Sequence, residues 1–294
     1  MAPAGRSSPT LTRPASGKRP AGRPAPSSKP WGWMGRSRPV VRGQGAAGRM
    51  MMEDDRSFLY GDGLFETVRV EASHVRFLDR HCARLRRSGR ALGFDEAQIE
   101  EGCALLATPP GPEGLWRVTV SRRDPAIDFG GSGRVCGRWR PGLPALSPPA
   151  LVTMPGFYMP GDALAEHKTT SWLRSVELRR RAQLAGADDG VGVSENGKVG
   201  ECSAANLLVL LEDRWVTPPV RGILPGITRE VLLERASAAE IPLKEAKVTL
   251  KGLGEARALA LLSTGVGVLE ARSIDERALE MGCTAELKAM LEDV

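Results

Sequence analysis

The sequence predicts an α+β fold with two domains, and three features support this prediction. Polar and apolar residues alternate over Glu66–Glu71, a period typical of a β-strand with one buried face. The run Leu207–Leu211 is wholly apolar and predicts a central strand that is buried on both faces. Helix-like segments lie between such strands, among them one that begins at Asp79 and ends at Gly93. At 294 residues the chain has room for two domains.

Composition sets the predicted domain boundaries. Residues 1–49 contain ten Lys or Arg and no Asp or Glu. Their content of Pro, Gly, Ser and Ala cannot bury enough apolar surface to fold, so we expect a disordered tail. We assign residues 50–155 to a small N-terminal α/β domain, 156–163 to an interdomain linker and 164–294 to a larger C-terminal domain. Whether the tail is a genuine segment, a targeting segment or the result of a start codon misassigned upstream of Met50 stays open.

Charge and residue counts exclude several classes of protein. The net charge of +6 divides into +10 for residues 1–49 and −4 for residues 50–294, which hold 31 basic and 35 acidic residues. The basic tail leaves nucleic-acid binding as a weaker alternative, because aromatic residues interleave with its basic residues only at Trp31 and Trp33. The five cysteines and three histidines form no metal-binding pattern, and no apolar run reaches the ~18 residues of a membrane helix. We therefore expect a cytoplasmic protein with neither a metal centre nor a membrane partner.

The elements of the N-terminal domain are predicted in chain order. A first strand is hard to identify before Asp55, and Trp31–Val41 is a poor substitute for it. Further along, β-branched and apolar residues predict strands at 66–71, 74–77, 115–120 and 150–154. The first two form a hairpin around Ala72-Ser73, and the helix from Asp79 follows them.

The C-terminal domain is predicted to alternate strands and helices. Strands are expected at 191–193, 198–201, 207–211, 246–250 and 258–263. Asn196-Gly197 predicts the tight turn that joins the first two of these strands. Helices are expected from Thr169 or Thr170 to about 185, from Thr228 to about 239 and from 275 to 291.

Lys168 is the first candidate for chemistry. Thr169 and Thr170 can cap a following helix, which would place the Lys168 amine at the mouth of that helix. Near helix dipoles and a buried cation, the pKa of a lysine falls far enough for its neutral amine to attack a carbonyl group. A lone lysine before a helix is ordinarily a solvated surface residue, so this interpretation depends on its partners.

Glu201 is the first of these partners. It ends a predicted strand, where a buried carboxylate could face a ring nitrogen and keep that nitrogen protonated. The alternative interpretation is an edge-strand glutamate in water. Asn206, five residues later, enters the apolar strand and is expected to be a hydrogen-bonded structural residue in either case.

The second partner is the turn Gly226-Ile227-Thr228. Gly226 allows the backbone to come close to a ligand, and the N–H groups of Ile227 and Thr228 at a helix start form an anion site. A plain N-cap would explain Thr228 alone equally well. A lysine, a buried carboxylate and this turn are together the parts needed to hold pyridoxal phosphate, an aldehyde that carries a phosphate and a ring nitrogen.

Arg84 and Thr264 are further candidate phosphate ligands. Arg84 lies on a basic helix face with Arg80 and Arg87, and a solvated face is the default interpretation of such a run. A guanidinium that turned inward would instead bind a phosphate dianion with two hydrogen bonds. Thr264 follows a buried strand that ends at Ser263, where hydroxyl groups could reach the same phosphate or could simply terminate the strand.

Taken together, these motifs resemble the class IV aminotransferase family, the fold type IV pyridoxal phosphate enzymes. The resemblance runs from about residue 53 to the C-terminus and rests on segments 61–69, 84–88 and 224–229, on Lys168, and on Glu201 with Asn206. It implies a two-domain α+β fold like that of D-amino acid aminotransferases, with the cofactor between the domains, and a homodimer that acts on a small-molecule amine.

The resemblance also implies a role for each site residue. Lys168 would carry the cofactor and act as the catalytic residue, and Glu201 would contact the pyridine nitrogen. The groups that would hold the phosphate are Arg84, Ile227, Thr228 and Thr264. The groups that would lie near the substrate are Tyr60, Phe65 and Arg69.

Within the family, the motifs favour a 4-amino-4-deoxychorismate lyase, which produces pyruvate and 4-aminobenzoate, a folate precursor. Segment 201–206 is similar to the lyase version of this motif, and Trp172-Leu173 stands where branched-chain enzymes tend to carry Asn-Tyr. The family-like portion is also short, as in lyases. Arg123 departs from the Ser-Arg-Gly of many lyases. The alternative is an aminotransferase that acts on branched-chain or D-amino acids with 2-oxoglutarate.

Overall fold

The computed structural model describes residues 39–40, 55–122 and 133–292. In the first part of the chain, five strands form one antiparallel sheet in the order β1-β5-β4-β2-β3. These strands are β1 (Pro39–Val40), β2 (Gly63–Glu71), β3 (His74–Val75), β4 (Gly114–Ser121) and β5 (Arg134–Pro141). The strands and hairpin predicted from alternation are therefore confirmed.

The short strand β1 lies within the segment that composition predicts to be a tail. Pro39 pairs with Arg138 and Val40 with Gly137, so β1 is the outer strand beside β5. It falls inside Trp31–Val41, the stretch considered above as a substitute first strand. The rest of residues 1–49, and Arg123 further along, lie outside the described residues.

Three helices accompany this sheet: α1 (Arg56–Tyr60), α2 (Leu78–Ala91) and α3 (Glu96–Leu106). The inward side chains of β2, such as Leu64 and Val68, pack against apolar residues of α2 and α3, such as Leu85 and Ile99. A side-chain period of two on the strand and a helical period of 3.6 on α2 produce this shared core. The predicted helix from Asp79 to Gly93 is confirmed.

The second part of the chain builds two further five-stranded sheets. One, in the order β15-β14-β6-β7-β8, contains β6 (Ala150–Pro155), β7 (Asp189–Val193), β8 (Val199–Cys202), β14 (Ser273–Ile274) and β15 (Arg277–Ala278). The other, in the order β11-β10-β9-β12-β13, contains β9 (Asn206–Leu211), β10 (Arg214–Thr217), β11 (Leu243–Glu245), β12 (Ala258–Ser263) and β13 (Gly267–Glu270). Strand β6 pairs with β7 and β14 and therefore belongs to a sheet of the second part, although it precedes the domain boundary predicted after residue 155.

The described residues of this part also form a short 3-10 helix (Ala163–Glu166) and four α-helices: α4 (Leu173–Leu184), α5 (Ile227–Ala238), α6 (Leu250–Glu255) and α7 (Ala285–Glu292). Leu207 and Val209 of β9 pack between the two sheets, against Leu151 and Val191. The alternate residues of β9 pack beneath α5 and α7. Strand β9 is thus buried on both faces, as its wholly apolar sequence predicts.

Two predicted elements are wrong. The helix expected from 275 to 291 forms only over α7, because Asp275 and Glu276 adopt left-handed backbone angles, φ 48° and 67°, that join β14 to β15. The strand expected at 246–250 is replaced by a helix start, because Thr249 accepts the N–H of Gly252 and caps α6. Local hydrogen bonding decides the structure at both places.

Two negative findings apply to the described ranges, 39–40, 55–122 and 133–292. Every helix in them is too short or too polar to span a lipid bilayer. In the same ranges, no group of three or more His, Cys, Asp or Glu side chains could hold a metal ion.

The packing of β5 on β4 predicts that Gly137→Ala destabilises the protein. A Cβ at this position would lie 1.9 Å from the Trp116 ring, which is buried in the first core. Overpacking of this kind costs about 1–3 kcal/mol of unfolding free energy, measurable by urea denaturation. Gly254→Ala on α6 is the matched control, since its Cβ would meet nothing within 4 Å. Equal stability losses in the two variants would contradict the described packing.

Candidate active site

A cleft of about 810 Å³ opens between the first sheet and the loops of the second part. Eight of the nine residues proposed from the sequence line it: Tyr60, Phe65, Arg84, Lys168, Glu201, Ile227, Thr228 and Thr264. They come from positions more than 200 residues apart, so only the fold brings them together. The ninth residue, Arg69, is not part of the lining.

Lys168 enters the cleft on an extended segment that pairs with β2. The Phe65 N–H donates to the Lys168 carbonyl at 2.9 Å, and the Thr170 N–H donates to the Gly63 carbonyl at 2.7 Å. This pairing replaces the predicted helix mouth: α4 begins only at Leu173, and Thr169 and Thr170 do not cap it. The predicted capping role of the two threonines is therefore wrong, because their backbone belongs to an extended strand-like segment.

The environment of the Lys168 amine is apolar and positively charged. Its Nζ lies 4.5 Å from the centroid of the Phe65 ring and 5.7 Å from that of Trp172. Burial, followed by the charge of Arg84, lowers the pKa of Lys168 to about 7. Near neutral pH a large fraction of this amine is therefore uncharged and able to act as a nucleophile or a base.

Glu201 faces the same cleft from strand β8. Its carboxylate accepts the side-chain N–H of Asn206 at 2.9 Å and the backbone N–H of Leu224 at 3.2 Å. Burial raises its pKa to about 8, so at neutral pH it carries a proton that it can share with a basic nitrogen. The Asn206 amide also donates to the Leu224 carbonyl at 2.9 Å and so joins Glu201 to the next loop.

That loop runs into the start of α5, where the sequence predicts an anion site. Gly226 is the N-cap, and Ile227 and Thr228 begin the helix inside the cleft. The first N–H groups of a helix have no partner within it and attract an anion. A Cβ on Gly226 would lie 2.0 Å from the Asn206 Oδ1, so only glycine leaves room for this approach. Thr264, just beyond β12, lines the same cleft.

Arg84 is buried, with 4% of its surface exposed, and turns inward from α2. Its Nε and Nη2 each donate to Glu66 at 2.7 Å, and its Nη1 donates to the Pro225 carbonyl at 3.0 Å. His81 Nδ1 lies 2.8 Å from the same carboxylate. Sequence reasoning missed Glu66 and His81. The available signal was a glutamate at an inward position of an alternating strand, between Leu64 and Val68.

The three residues that the resemblance places near the substrate are distributed unevenly. Tyr60 lies at the cleft mouth and is 63% exposed, whereas Phe65 is buried at the base beside Lys168. Arg69 donates to Glu71 at 2.6 Å, outside the lining. Its role near the substrate stays a prediction.

These residues fit pyridoxal phosphate. The Lys168 amine suits an aldehyde, and the protonated Glu201 carboxyl suits a pyridine nitrogen. The turn at Gly226, which leads into the free N–H groups of α5, suits a phosphate. The hydroxyls of Thr228 and Thr264 add hydrogen-bond capacity to the lining.

Comparison with known proteins points the same way. A model of the amino-transferase class IV family matches residues 63–274. A Methanocaldococcus jannaschii protein, provisionally named as a branched-chain-amino-acid aminotransferase, is 28% identical over 254 residues, which cover 81% of this chain and 88% of that protein. The bifunctional aminodeoxychorismate lyase and D-amino acid transaminase of Mycobacterium tuberculosis is 25% identical over 275 residues, with coverages of 83% and 92%.

A solved structure is similar as well. The 4-amino-4-deoxychorismate lyase from Pseudomonas aeruginosa has a TM-score of 0.69 and 28% identity, over 87% of this chain and 97% of that one. The family match includes Lys168, Glu201 and the turn Gly226-Ile227-Thr228, all of which line the cleft. The chain therefore belongs to the class IV aminotransferase family, whose members are pyridoxal-phosphate-dependent enzymes.

Proposed function

We propose that this enzyme is a 4-amino-4-deoxychorismate lyase that releases pyruvate and forms 4-aminobenzoate. The observation that carries the proposal is the pair of aromatic rings at Lys168: Phe65 and Trp172, with centroids 5.5 Å apart. Tilted 60° to one another, they make an aromatic, apolar wall beside the amine, which suits edge or face contact with an unsaturated ring better than contact with a branched aliphatic side chain. Trp172-Leu173 stands where branched-chain enzymes tend to carry Asn-Tyr.

In this reaction the side chains of the cleft have separate roles. When bound, pyridoxal phosphate supplies an electron sink for the carbon that loses a proton. Lys168, with its lowered pKa, removes a proton from the substrate carbon that bears nitrogen. Glu201 holds its proton at the ring nitrogen, and Phe65 and Trp172 exclude water from the amine.

The second candidate is an aminotransferase that uses branched-chain or D-amino acids and 2-oxoglutarate. It is favoured by the similarity to a protein that bears a branched-chain aminotransferase name and by the dual activity named for the mycobacterial relative. Both reactions begin with proton removal by the same lysine, so the cofactor contacts described above serve either.

We also infer that the enzyme works as a homodimer. Large apolar side chains of α1, of residues 163–166 and of α4 are exposed, where water contact is unfavourable: Phe58, Leu59, Tyr60, Leu164, Leu173 and Val176. Three of them also line the cleft, so a second copy seated on this patch would narrow the entrance. The cytoplasmic location stays a prediction.

The lowered pKa of Lys168 predicts the pH dependence of cofactor attachment. Only the neutral amine reacts with the aldehyde, so the rate at which apoenzyme gains visible absorbance should rise with pH and level off above a midpoint of about 7. An ordinary lysine would keep gaining reactivity up to about pH 10.4. Borohydride trapping and peptide mapping should place the adduct on Lys168, and Lys168→Ala is the control. An adduct on another lysine, or a midpoint above 9, would contradict the assignment.

Glu201→Gln is expected to keep cofactor binding and to lower turnover by about 10²–10³-fold. The amide cannot give up a proton to the ring nitrogen, and it turns one of the contacts with Asn206 and Leu224 into an encounter between two donors. Glu166→Gln is the matched control, because Glu166 also accepts a backbone N–H, from Gly222, but does not line the cleft. Steady-state turnover of both variants decides; near-normal turnover of Glu201→Gln would place the key carboxylate elsewhere.

The lyase proposal predicts that 4-aminobenzoate and pyruvate form over many turnovers from aminodeoxychorismate with no keto acid added. Elimination leaves the cofactor as its aldehyde, whereas transamination stops after one turnover without an acceptor. The check is product quantification by chromatography. Sustained turnover of branched-chain or D-amino acids with 2-oxoglutarate, and none of aminodeoxychorismate, would assign the enzyme to the second candidate.

A further inference from the structure

Glu66 is a buried carboxylate that no step of the reaction uses. It lies on β2 with 1% of its surface exposed, between the core residues Leu64 and Val68. A carboxylate at such a position is costly unless its partners compensate for the loss of water. Burial acts against its ionisation, yet Arg84 and His81 hold the pKa of Glu66 well below its usual range. Glu66 is therefore ionised inside the first core.

The contacts of Glu66 fix a guanidinium in place. A guanidinium has five N–H groups in one plane. In Arg84, two of them donate to Glu66 at 2.7 Å each, and a third donates to the Pro225 carbonyl at 3.0 Å. The two that remain are one on each terminal nitrogen. Pro225 lies two residues before Ile227, so the fixed guanidinium is joined to the turn that opens α5.

His81 supports the same carboxylate from the preceding turn of α2. It is completely buried, its Nδ1 lies 2.8 Å from a Glu66 oxygen, and its Nε2 has no hydrogen-bond partner among the described residues. Burial lowers the pKa of His81, so the ring is neutral near pH 7. An ionised carboxylate only accepts, so the Nδ1 carries the hydrogen and donates it. Both Glu66 oxygens are thus held, which leaves the Glu66 side chain no freedom to swing away from Arg84.

We propose that Glu66 is a positioning residue: with His81 behind it, it fixes Arg84 so that the two remaining N–H groups meet the cofactor phosphate at the start of α5. The proposal rests on the assignment of pyridoxal phosphate to this cleft. It extends that assignment to two buried residues that do not touch the cofactor. Preorganised donors bind an anion without first having to give up rotamer freedom.

Glu66 also has an effect of the opposite sign. Its negative charge lies one side chain away from the site of the phosphate dianion and repels it. If Glu66 served only as a counter-charge for Arg84, removing its charge would strengthen phosphate binding. If it positions Arg84, removing its charge weakens phosphate binding. The sign of the change in affinity therefore separates the two roles.

The test compares pyridoxal phosphate with pyridoxal, the same ring without the phosphate. For Glu66→Gln, we expect the dissociation constant for pyridoxal phosphate to rise about tenfold or more, as when a supporting residue behind a ligating group is lost. The constant for pyridoxal should change much less, because the Glu66 side chain hydrogen-bonds only to Arg84 and His81 among the described residues. The charge of Glu66 also acts on Lys168, but that effect is common to both ligands, so the ratio of the two constants is the readout. Glu270→Gln is the matched control, since Glu270 is also buried and hydrogen-bonded but lies away from the cleft.

A double-mutant cycle and a charge-conserving variant complete the test. In an Arg84→Met background, Glu66→Gln should no longer change the affinity for pyridoxal phosphate, because Arg84 transmits the effect. Glu66→Asp keeps the charge but shortens the side chain. A positioning role predicts weaker binding of pyridoxal phosphate in this variant, whereas a counter-charge role predicts no change in affinity. This variant also decides the matter if Glu66→Gln does not fold.

Three outcomes would overturn the proposal: tighter phosphate binding in Glu66→Gln, equal losses for both ligands, or an undiminished effect in the Arg84→Met background. Failure of the lyase assignment alone would leave this test unchanged, because both candidate reactions use the same cofactor contacts. Failure of the cofactor assignment, on which the proposal rests, is also distinguishable from these outcomes. In that case the unaltered protein would bind neither pyridoxal phosphate nor pyridoxal.

Discussion

The site depends on a short backbone pairing between the first sheet and the segment that carries the lysine. Hydrogen bonds from Phe65 to Lys168 and from Thr170 to Gly63 pair the lysine segment, antiparallel, with the beginning of β2. Backbone pairing of this kind fixes the position of the Lys168 backbone relative to β2, whereas a side chain that caps a helix would leave that position less constrained. Because Phe65 contributes both a backbone donor and a ring to the amine's surroundings, one residue sets the position and the polarity of Lys168.

Charge balance in the cleft explains why directed N–H groups matter more than net charge. Arg84 and Glu66 neutralise each other. With a pKa of about 8 for Glu201 and about 7 for Lys168, Glu201 is mostly uncharged at neutral pH and Lys168 is about half charged. These two pairs together therefore offer a phosphate less than one full positive charge. Its binding must come from oriented donors, namely the first N–H groups of α5 and the two N–H groups of Arg84 that remain.

The sequence was most informative where one motif carried its own geometry. Gly226-Ile227-Thr228 predicts a helix start with open N–H groups, and the structure has it in the cleft. Sequence was least informative where a distant partner decides the outcome. Nothing local to β6 identifies β7 and β14 as its neighbours, and nothing local to Thr169 indicates that β2 will draw it out of a helix. Alternation alone marks Glu66 as a polar residue of the strand, although its side chain is buried and points inward.

The cofactor-binding groups and the other groups that line the cleft come from different parts of the chain, and this bears on which reaction the enzyme performs. Groups suited to the cofactor come mostly from β8, from the start of α5 and from the residue after β12. Groups on the opposite side come from the α1–β2 region and from the segment around Trp172. Cofactor chemistry can therefore stay constant while the opposite wall varies, as expected when one fold supports several reactions. In this chain the wall beside the amine is aromatic, and this is the feature that supports the proposed lyase function over the aminotransferase alternative.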